Sequence, residues 1–311
     1  MPVTKFPFPT DPELVAISIA YKNPRLVADE VLPRIPVGKK EFKYLEYPKG
    51  QMFTLPNTKV GRRGTPNQVN FDAQEKTSST EDYGLDDVVP QDDIDNAPAN
   101  YDPVQHATEG LRELILLDHE VRTATAVQDP NNYASSNKVQ LSGTDQWNDG
   151  ANSSPIDDIQ GAIDACIMRP NKAVIGQAAW TKLRQHPDIV KAVHGNSGDK
   201  GLATREQVAE LFELEEIIVG EGWVNNAKPG QDVNLVRVWG KHMVLFYQNR
   251  NANTQRGMTY GYTAQFGDPV AGQEPDSKVG LKGGTRVRNG ESVKELITAN
   301  DLGYLIEDCV A

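Results

Sequence analysis

The sequence holds only two cysteines among its 311 residues, Cys166 and Cys309, and they lack C-x-x-C spacing. No disulfide framework or thiolate metal site is encoded, and each reads as a free buried thiol. Apolar runs extend only a few residues, whereas a helix crossing a bilayer needs about 20, so no membrane partner is expected. The N-terminal stretch from Met1 to Pro7 has no apolar signal core and no small-residue cleavage site, which implies synthesis in the cytoplasm. Positive charge is scarce: 32 Lys and Arg stand against 43 Asp and Glu, a net charge of −11. A surface that grips phosphates leans the other way, so specific nucleic-acid binding is disfavoured.

Catalytic signatures are missing as well. No G-x-S-x-G elbow, Walker loop or G-x-G-x-x-G follows a strand pattern, and the glycine-rich Gly280–Gly284 leads into no helix start with a Lys-Ser/Thr pair. No histidine has a second ligand at H-x-H or H-x-x-x-H spacing; His106 and His119 read as solvated residues on a helix surface. Asp86-Asp87, Asp92-Asp93 and Asp157-Asp158 are adjacent pairs, which a strand would send to opposite faces. Asp92 to Asn96 lacks the glycine and distal glutamate of a calcium loop. His186-Pro187-Asp188 matches the J-domain tripeptide but follows one short helix; Pro187 is expected to end that helix and Asp188 to cap the next. No catalytic, cofactor-binding or metal-binding residue is assigned.

What the sequence does have is segregated charge. Eight bases lie between Arg34 and Arg63 (Arg34, Lys39, Lys40, Lys43, Lys49, Lys59, Arg62, Arg63) against Glu41 and Glu46. Seven acids and no base lie between Glu81 and Asp95, among them Glu81, Asp82, Asp86, Asp87, Asp92 and Asp93. The stretch shows strand-like runs such as Glu41–Tyr47, broken by Pro and Gly. It cannot form a core alone, yet Phe42, Tyr44, Tyr47, Phe53, Phe71 and Tyr83 argue against a solvated tail. A long hairpin that packs on another subunit fits it best.

Beyond it, Asp102-Pro103-Val104-Gln105 opens a helix expected to run to about Gln128, some 39 Å at 1.5 Å per residue. Val104, Leu111, Leu114, Ile115 and Val121 form its expected buried stripe. An α/β region follows: a capped helix from Ser154, a strand at Lys172–Gly176, helices over Ala178–Leu183 and Ile189–Val193, a capping box at Thr204, and a strand at Glu216–Val219. Leu235–Trp239 and His242–Tyr247 suggest a hairpin about Gly240-Lys241, and Asn289-Gly290 suggests another turn. Met258 to Phe266 alternates as a half-buried strand, and Gly303–Val310 closes the chain as a strand.

Several of these segments, in order, resemble the major capsid proteins of tailed bacteriophages. They are Val27-Ala-Asp-Glu-Val-Leu-Pro-Arg-Ile-Pro-Val37, the Arg62-Arg63-Gly64 turn, the Glu81–Asp95 run, the Asp102-Pro103 helix and Ser154–Ile159. Arg184–Ile189, Val238-Trp-Gly-Lys241 and Leu302–Ile306 complete the set. The resemblance implies an α+β chain with the Hong Kong 97-type capsid fold. Residues 1–33 would be an N-terminal arm, 34–96 an extended β-hairpin loop, 97–149 a peripheral domain with spine helix 103–128, 150–265 most of an axial domain, and 266–311 strands returning to the peripheral domain. It implies a non-enzymatic subunit that forms hexamers and pentamers of an icosahedral shell around double-stranded DNA, without specific DNA binding. The virion is its expected location, after synthesis in the bacterial host cytoplasm. Portal and decoration proteins would be partners. Scaffolding is expected as a separate protein, because the arm begins near Met1, and lysine–asparagine crosslinking is not expected. The loop bases and the acidic run are the expected intersubunit contacts. The alternatives are an encapsulin-like nanocompartment shell, or a small α/β ligand-binding or hydrolytic enzyme.

Overall fold

The computed structural model describes residues 8–46, 55–68, 74–195, 201–228, 230–254 and 256–311. Lys49, Tyr47, Phe53 and Phe71 lie outside them. Two five-stranded sheets organise the chain, and one long helix packs against both.

The α/β sheet comprises β5 (Lys138–Gln140), β6 (Lys172–Gly176), β7 (Glu216–Gly220), β10 (Met243–Phe246) and β14 (Gly303–Glu307), in the order β5-β14-β10-β6-β7. Its strands read as near-continuous apolar runs because both faces are covered. Ala173, Ile175, Ile217, Val219, Met243, Leu245 and Ile306 point into one core with Trp147, Ile159, Trp180 and Phe212. The alternate residues Val174, Ile218, Val244, Phe246 and Leu305 enter a second core with Val27, Leu32, Val127 and Trp239.

The other sheet is built on β13 (Gly284–Ile297), which pairs with β4 (Glu81–Pro90), β11 (Gly261–Phe266) and β12 (Val270–Asp276). The strand β1 (Arg34–Val37) adds to β11 in parallel. The stretch from 34 to 96 is therefore anchored at both ends, and within it β2 (Glu41–Glu46) and β3 (Gln74–Ser79) pair with each other as a separate two-stranded hairpin. Phe42 roots it beside Val37, Tyr262 and Ala264.

Helices α1 (Pro12–Ala20), α2 (Ala28–Val31) and α3 (Gln91–Asp95) precede the spine α4 (Pro103–Gln128). The spine starts where its signals place it: Pro103 is its first residue, and the Asp102 carboxylate accepts from the backbone N–H groups of Val104 and Gln105 at 2.9 and 3.3 Å. Its buried stripe differs from the expected one. Leu111 and Ile115 are buried, but Leu114 is 53% exposed and Val121 only half-buried. The cause is that α4 serves two cores. Ala107 and Leu111 meet Val89 and Val287 under the β13 sheet, whereas Ala124 and Val127 enter the core beneath the α/β sheet. The buried stripe turns around the helix between them, and a single straight stripe selects residues on the wrong side.

Four further expectations are corrected. Gly240-Lys241 does not join a hairpin: β9 (Leu235–Arg237) pairs with β8 (Trp223–Asn225), while the fully buried β10 lies between β14 and β6. Asn289-Gly290 is not a turn but the middle of β13, where the Asn289 amide donates to Thr108 O at 3.3 Å and its carbonyl accepts from Ser18 Oγ at 3.2 Å. The last strand, β14, does not return with residues 266–297; it joins the α/β sheet. His186, not Asp188, caps the helix that begins at Pro187, its Nδ1 accepting from Asp188 N–H.

Helices α5 (Pro155–Ala165), α6 (Gln177–Leu183), α7 (Pro187–His194) and α8 (Arg205–Leu211) pack on the α/β sheet. The capping box of α8 is complete, with Thr204 and Gln207 each bonded to the other's backbone N–H.

Candidate assembly surfaces

The β2–β3 hairpin is held at its base by Lys43–Glu75 (2.8 Å) and by Lys40, which reaches Asp82 at the start of β4 (2.7 Å). Leu45 N–H also donates to Thr254 O at 3.1 Å. Every residue from 55 to 68 is exposed. The distal turn is nonetheless ordered by local bonds: Gly64 N–H donates to Gly61 O at 2.8 Å, and Asn67 Nδ2 donates to Asn57 O at 2.8 Å. Arg62 and Arg63 occupy the two central positions of that turn. Neither they nor Lys39 and Lys59 have an ion pair among the described residues.

The acidic run is largely satisfied inside the chain. Glu81 meets Lys294 at 2.7 Å, Asp86 takes a two-pronged bond from Arg288 at 2.6 and 2.7 Å, and Asp92 meets Lys282 at 2.6 Å. Asp82 also accepts from Ser292. Hydrogen bonds from these partners hold Glu81, Asp82 and Asp86 below the usual carboxylate range. Asp87 accepts from Val88 N–H, and Asp93 has no ion pair among the described residues. The partners lie about two hundred residues downstream on β13 and its turn, where no local pattern links them to the run.

Beneath this surface lies a buried ionic girder that motif reading misses. Arg34 and Arg112 both bind Glu291, at 2.9 and 2.7 Å, and Arg34 also reaches Asp29 at 2.7 Å. His119 is 1% exposed, with Glu295 at 2.7 Å from Nδ1 and Asp29 at 3.2 Å from Nε2. Arg122 joins Glu295 at 3.0 Å. Burial works to neutralise His119, but its hydrogen bonds to Asp29 and Glu295 outweigh that and raise its pKa to about 9. Burial likewise works to raise Glu295, and the bonds from His119 and Arg122 bring it down to about 2. His119 is thus a buried, charged link and not a solvated helix-surface residue. Beside it, Glu120 accepts from the Trp239 indole and, at 2.6 Å, from Ala28 N–H, fastening the arm to the spine.

One arrangement has the composition of a nucleophilic triad. Ser153 Oγ is 3.1 Å from His186 Nε2, and Asp188 lies 3.7 Å from His186 Nδ1. The hydrogen bonding runs the wrong way for catalysis. Nδ1 accepts from Asp188 N–H, so the neutral ring carries its proton on Nε2 and donates to Ser153, whose own proton goes to Asp149 O at 2.6 Å. A nucleophile needs the histidine to accept instead. Burial, opposed by Asp188, holds His186 below its usual pKa. Both cysteines are buried, and burial pushes the Cys166 thiol to about 12 and raises that of Cys309 as well. Among the described residues no cluster of three or more His, Cys, Asp or Glu could hold a metal ion, and no helix is long and apolar enough to cross a membrane.

The two sheets, shared spine helix and projecting hairpin are those of a shell subunit. The family model for phage major capsid protein E matches residues 106–275. The major capsid protein of Pseudomonas phage JBD67 is 56% identical over 305 residues, covering 98% of each chain. Among solved structures, a phage-related protein from Bordetella bronchiseptica RB50 aligns with a TM-score of 0.78 at 24% identity, covering 98% of this chain and 99% of that one. The asymmetric unit of the bacteriophage PhiM1 mature capsid aligns with a TM-score of 0.57 at 10% identity, covering 99% and 92%. The chain belongs to the phage major capsid protein E family, with the α+β architecture of Hong Kong 97-type capsid subunits, and is a structural virion component that assembles with copies of itself.

Proposed function

We propose that the chain builds the head of a tailed phage, as hexamers and pentamers of an icosahedral shell enclosing double-stranded DNA. The observation that carries this is the β2–β3 hairpin, whose exposed, basic distal turn has no ion pair among the described residues. Many modest contacts per subunit become a stable shell through multivalency. Exposed ion pairs contribute only about 0–1 kcal/mol each, so Lys39, Lys59, Arg62 and Arg63 set register more than affinity. The acids on the neighbouring copy include Asp87 and Asp93. The paired residues Lys40, Lys43, Glu81, Asp82, Asp86 and Asp92 fix the hairpin base and the β4–β13 seam from which it projects, and Lys49 lies outside the described residues.

In this reading residues up to 33 are the arm, the projecting loop lies within 34–96, α4 is the backbone of a peripheral domain, and the α/β sheet is the axial domain. The subunit has no catalytic role. Scaffolding comes from a separate protein, a portal and decoration proteins share the head, and the acidic chain encloses DNA without gripping it. Synthesis takes place in the cytoplasm of the bacterial host. Negative-stain microscopy of the expressed chain tests the proposal: closed shells support it, and a protein that stays monomeric at high concentration, even with the other head proteins supplied, overturns it.

A further inference from the structure

The 311-residue sequence contains one Asn-Gly pair, Asn289-Gly290, and the fold sets it in the middle of β13 with a strand on either side. Asn289 lies opposite Ala271 of β12 and Leu85 of β4, and Gly290 opposite Val270 and Gly84. The Asn289 side chain is 0% exposed, its carbonyl accepting from Ser18 Oγ and its amide donating to Thr108 O. The fold needs both residues. An amide offers Ser18 an acceptor and Thr108 a donor at once, and a Cβ on Gly290 would stand 2.7 Å from the Tyr83 carbonyl oxygen.

The same pair is chemically labile. Glycine after asparagine puts no side chain in the way of imide formation and leaves the backbone free to turn toward it. The Gly290 backbone nitrogen, having given up its proton, bonds to Asn289 Cγ; the Cγ–Nδ2 bond breaks, and the amide leaves as ammonia with that proton. Water then opens the five-membered imide, at one carbonyl to leave aspartate and at the other to leave isoaspartate, whose main chain runs through the former side chain. No electrons pass to or from another reagent. In β13 this route is closed: the backbone about Asn289 must rotate out of the extended conformation for the attack, and β4 and β12 hold it extended.

We infer that Asn289-Gly290 is a deamidation site that folding alone closes, and that its conversion bars a chain from completing the β13 sheet. Aspartate at 289 sets a carboxylate oxygen against the Thr108 carbonyl oxygen where no solvent reaches, two acceptors without a donor. Isoaspartate adds a main-chain atom to a strand paired on both sides, so the pairs beyond it slip from register with their partners. Glu291 and Glu295 lie beyond it on β13, and their joints to Arg34, Arg112 and His119 are displaced with them. The site therefore times the unfolded chain. A copy that folds promptly keeps its amide, and one that waits is withdrawn irreversibly from the pool of subunits.

The parent chain tests this without any substitution. Samples are held unfolded in denaturant and, in parallel, native at the same mildly alkaline pH and temperature. Mass spectrometry of the peptide carrying residue 289, with isoaspartyl methyltransferase labelling, reads the conversion. It should run at least about a hundredfold faster in the unfolded chain, because native protection follows the population of opened molecules. When the denaturant is removed, the refolded fraction should hold the unconverted peptide and the fraction that fails to refold should hold the converted one. Equal rates in the two states, or converted peptide shared evenly between the two fractions, overturn the inference. Should fresh chain not refold, soluble and insoluble protein from one expression culture, kept after synthesis is stopped, give a second route. Converted peptide should then build up in the insoluble fraction alone, and equal build-up in soluble subunits overturns the inference. Every readout is made on single chains, so a failure of the shell reading leaves these outcomes unchanged.

Discussion

The His119 ring lies 2.7 Å from the Glu295 carboxylate, joining the spine helix to β13, the longest strand among the described residues, at a point closed to solvent. With Asp29 on the other ring nitrogen, the link spans arm, spine and sheet.

That link sets a pH window. His119 is raised from 6.5 to about 9, so its contribution is complete below pH 6.5 and is lost as pH rises through about 9. Asp29 and Glu295 are lowered, against the effect of burial, by His119 with Arg34 and by His119 with Arg122 respectively, so their share is present above their ordinary values and lost as pH falls toward about 2. Breaking a buried pair costs about 3–5 kcal/mol, and His119→Gln should lose that much near neutral pH. The parent's melting temperature should fall between about pH 7 and pH 10 more steeply than the variant's. Parallel curves in a differential scanning titration would refute the link.

Asn289 is the polar centre of the β13 sheet. Replacing it with Ala leaves Ser18 Oγ without its acceptor and removes the second donor to Thr108 O, at a cost of about 1–3 kcal/mol for buried groups. Chemical denaturation should show a lower midpoint with an unchanged slope. A loss below about 0.5 kcal/mol would mean that water replaces the amide.

Glycine positions separate into two kinds. A Cβ on Gly220 would collide with the buried Trp239 ring, so Gly220→Ala should abolish soluble expression. A Cβ on Gly110, exposed on the spine, meets nothing within 4 Å; Gly110→Ala should stabilise the helix by about 1 kcal/mol. Thermal melts and soluble yield read both outcomes.

The buried thiols should be inert. Native subunits should react with a thiol reagent at both Cys166 and Cys309 only after unfolding, with labelling rates that follow denaturant concentration. Rapid labelling of either in native buffer would contradict their burial.

Features written in neighbouring residues were legible in the sequence. Asp102-Pro103 and Thr204–Gln207 announce their helices because caps act over three residues. Lys172–Gly176 and Glu216–Val219 announce strands because both faces are apolar. The Hong Kong 97-type resemblance supplied an overall frame that no local pattern could. What escaped depends on distant partners. Asn289-Gly290 has turn chemistry, but β4 and β12 pair with it on both sides and hold the backbone extended, while Ser18 and Thr108 bind the Asn289 side chain from far upstream. Leu114 fails because α4 changes cores along its length. The acidic run from Glu81 looked unpartnered because Arg288 and Lys294 follow it by some two hundred residues, and His119 looked like a surface residue for the same reason.

The interior position of β14 bears on how the chain leaves the ribosome. β14 lies between β5 and β10 and buries Leu305 and Ile306 in opposite cores. Synthesis runs from the N-terminus, so the α/β sheet stays open along β10 until β14 emerges. The spine's end, the arm near Val27 and Leu32, and Trp239 all pack against the face that β14 completes. A chain that lacks β14 therefore lacks one wall of both cores, and the seam that joins arm, spine and sheet cannot close without it.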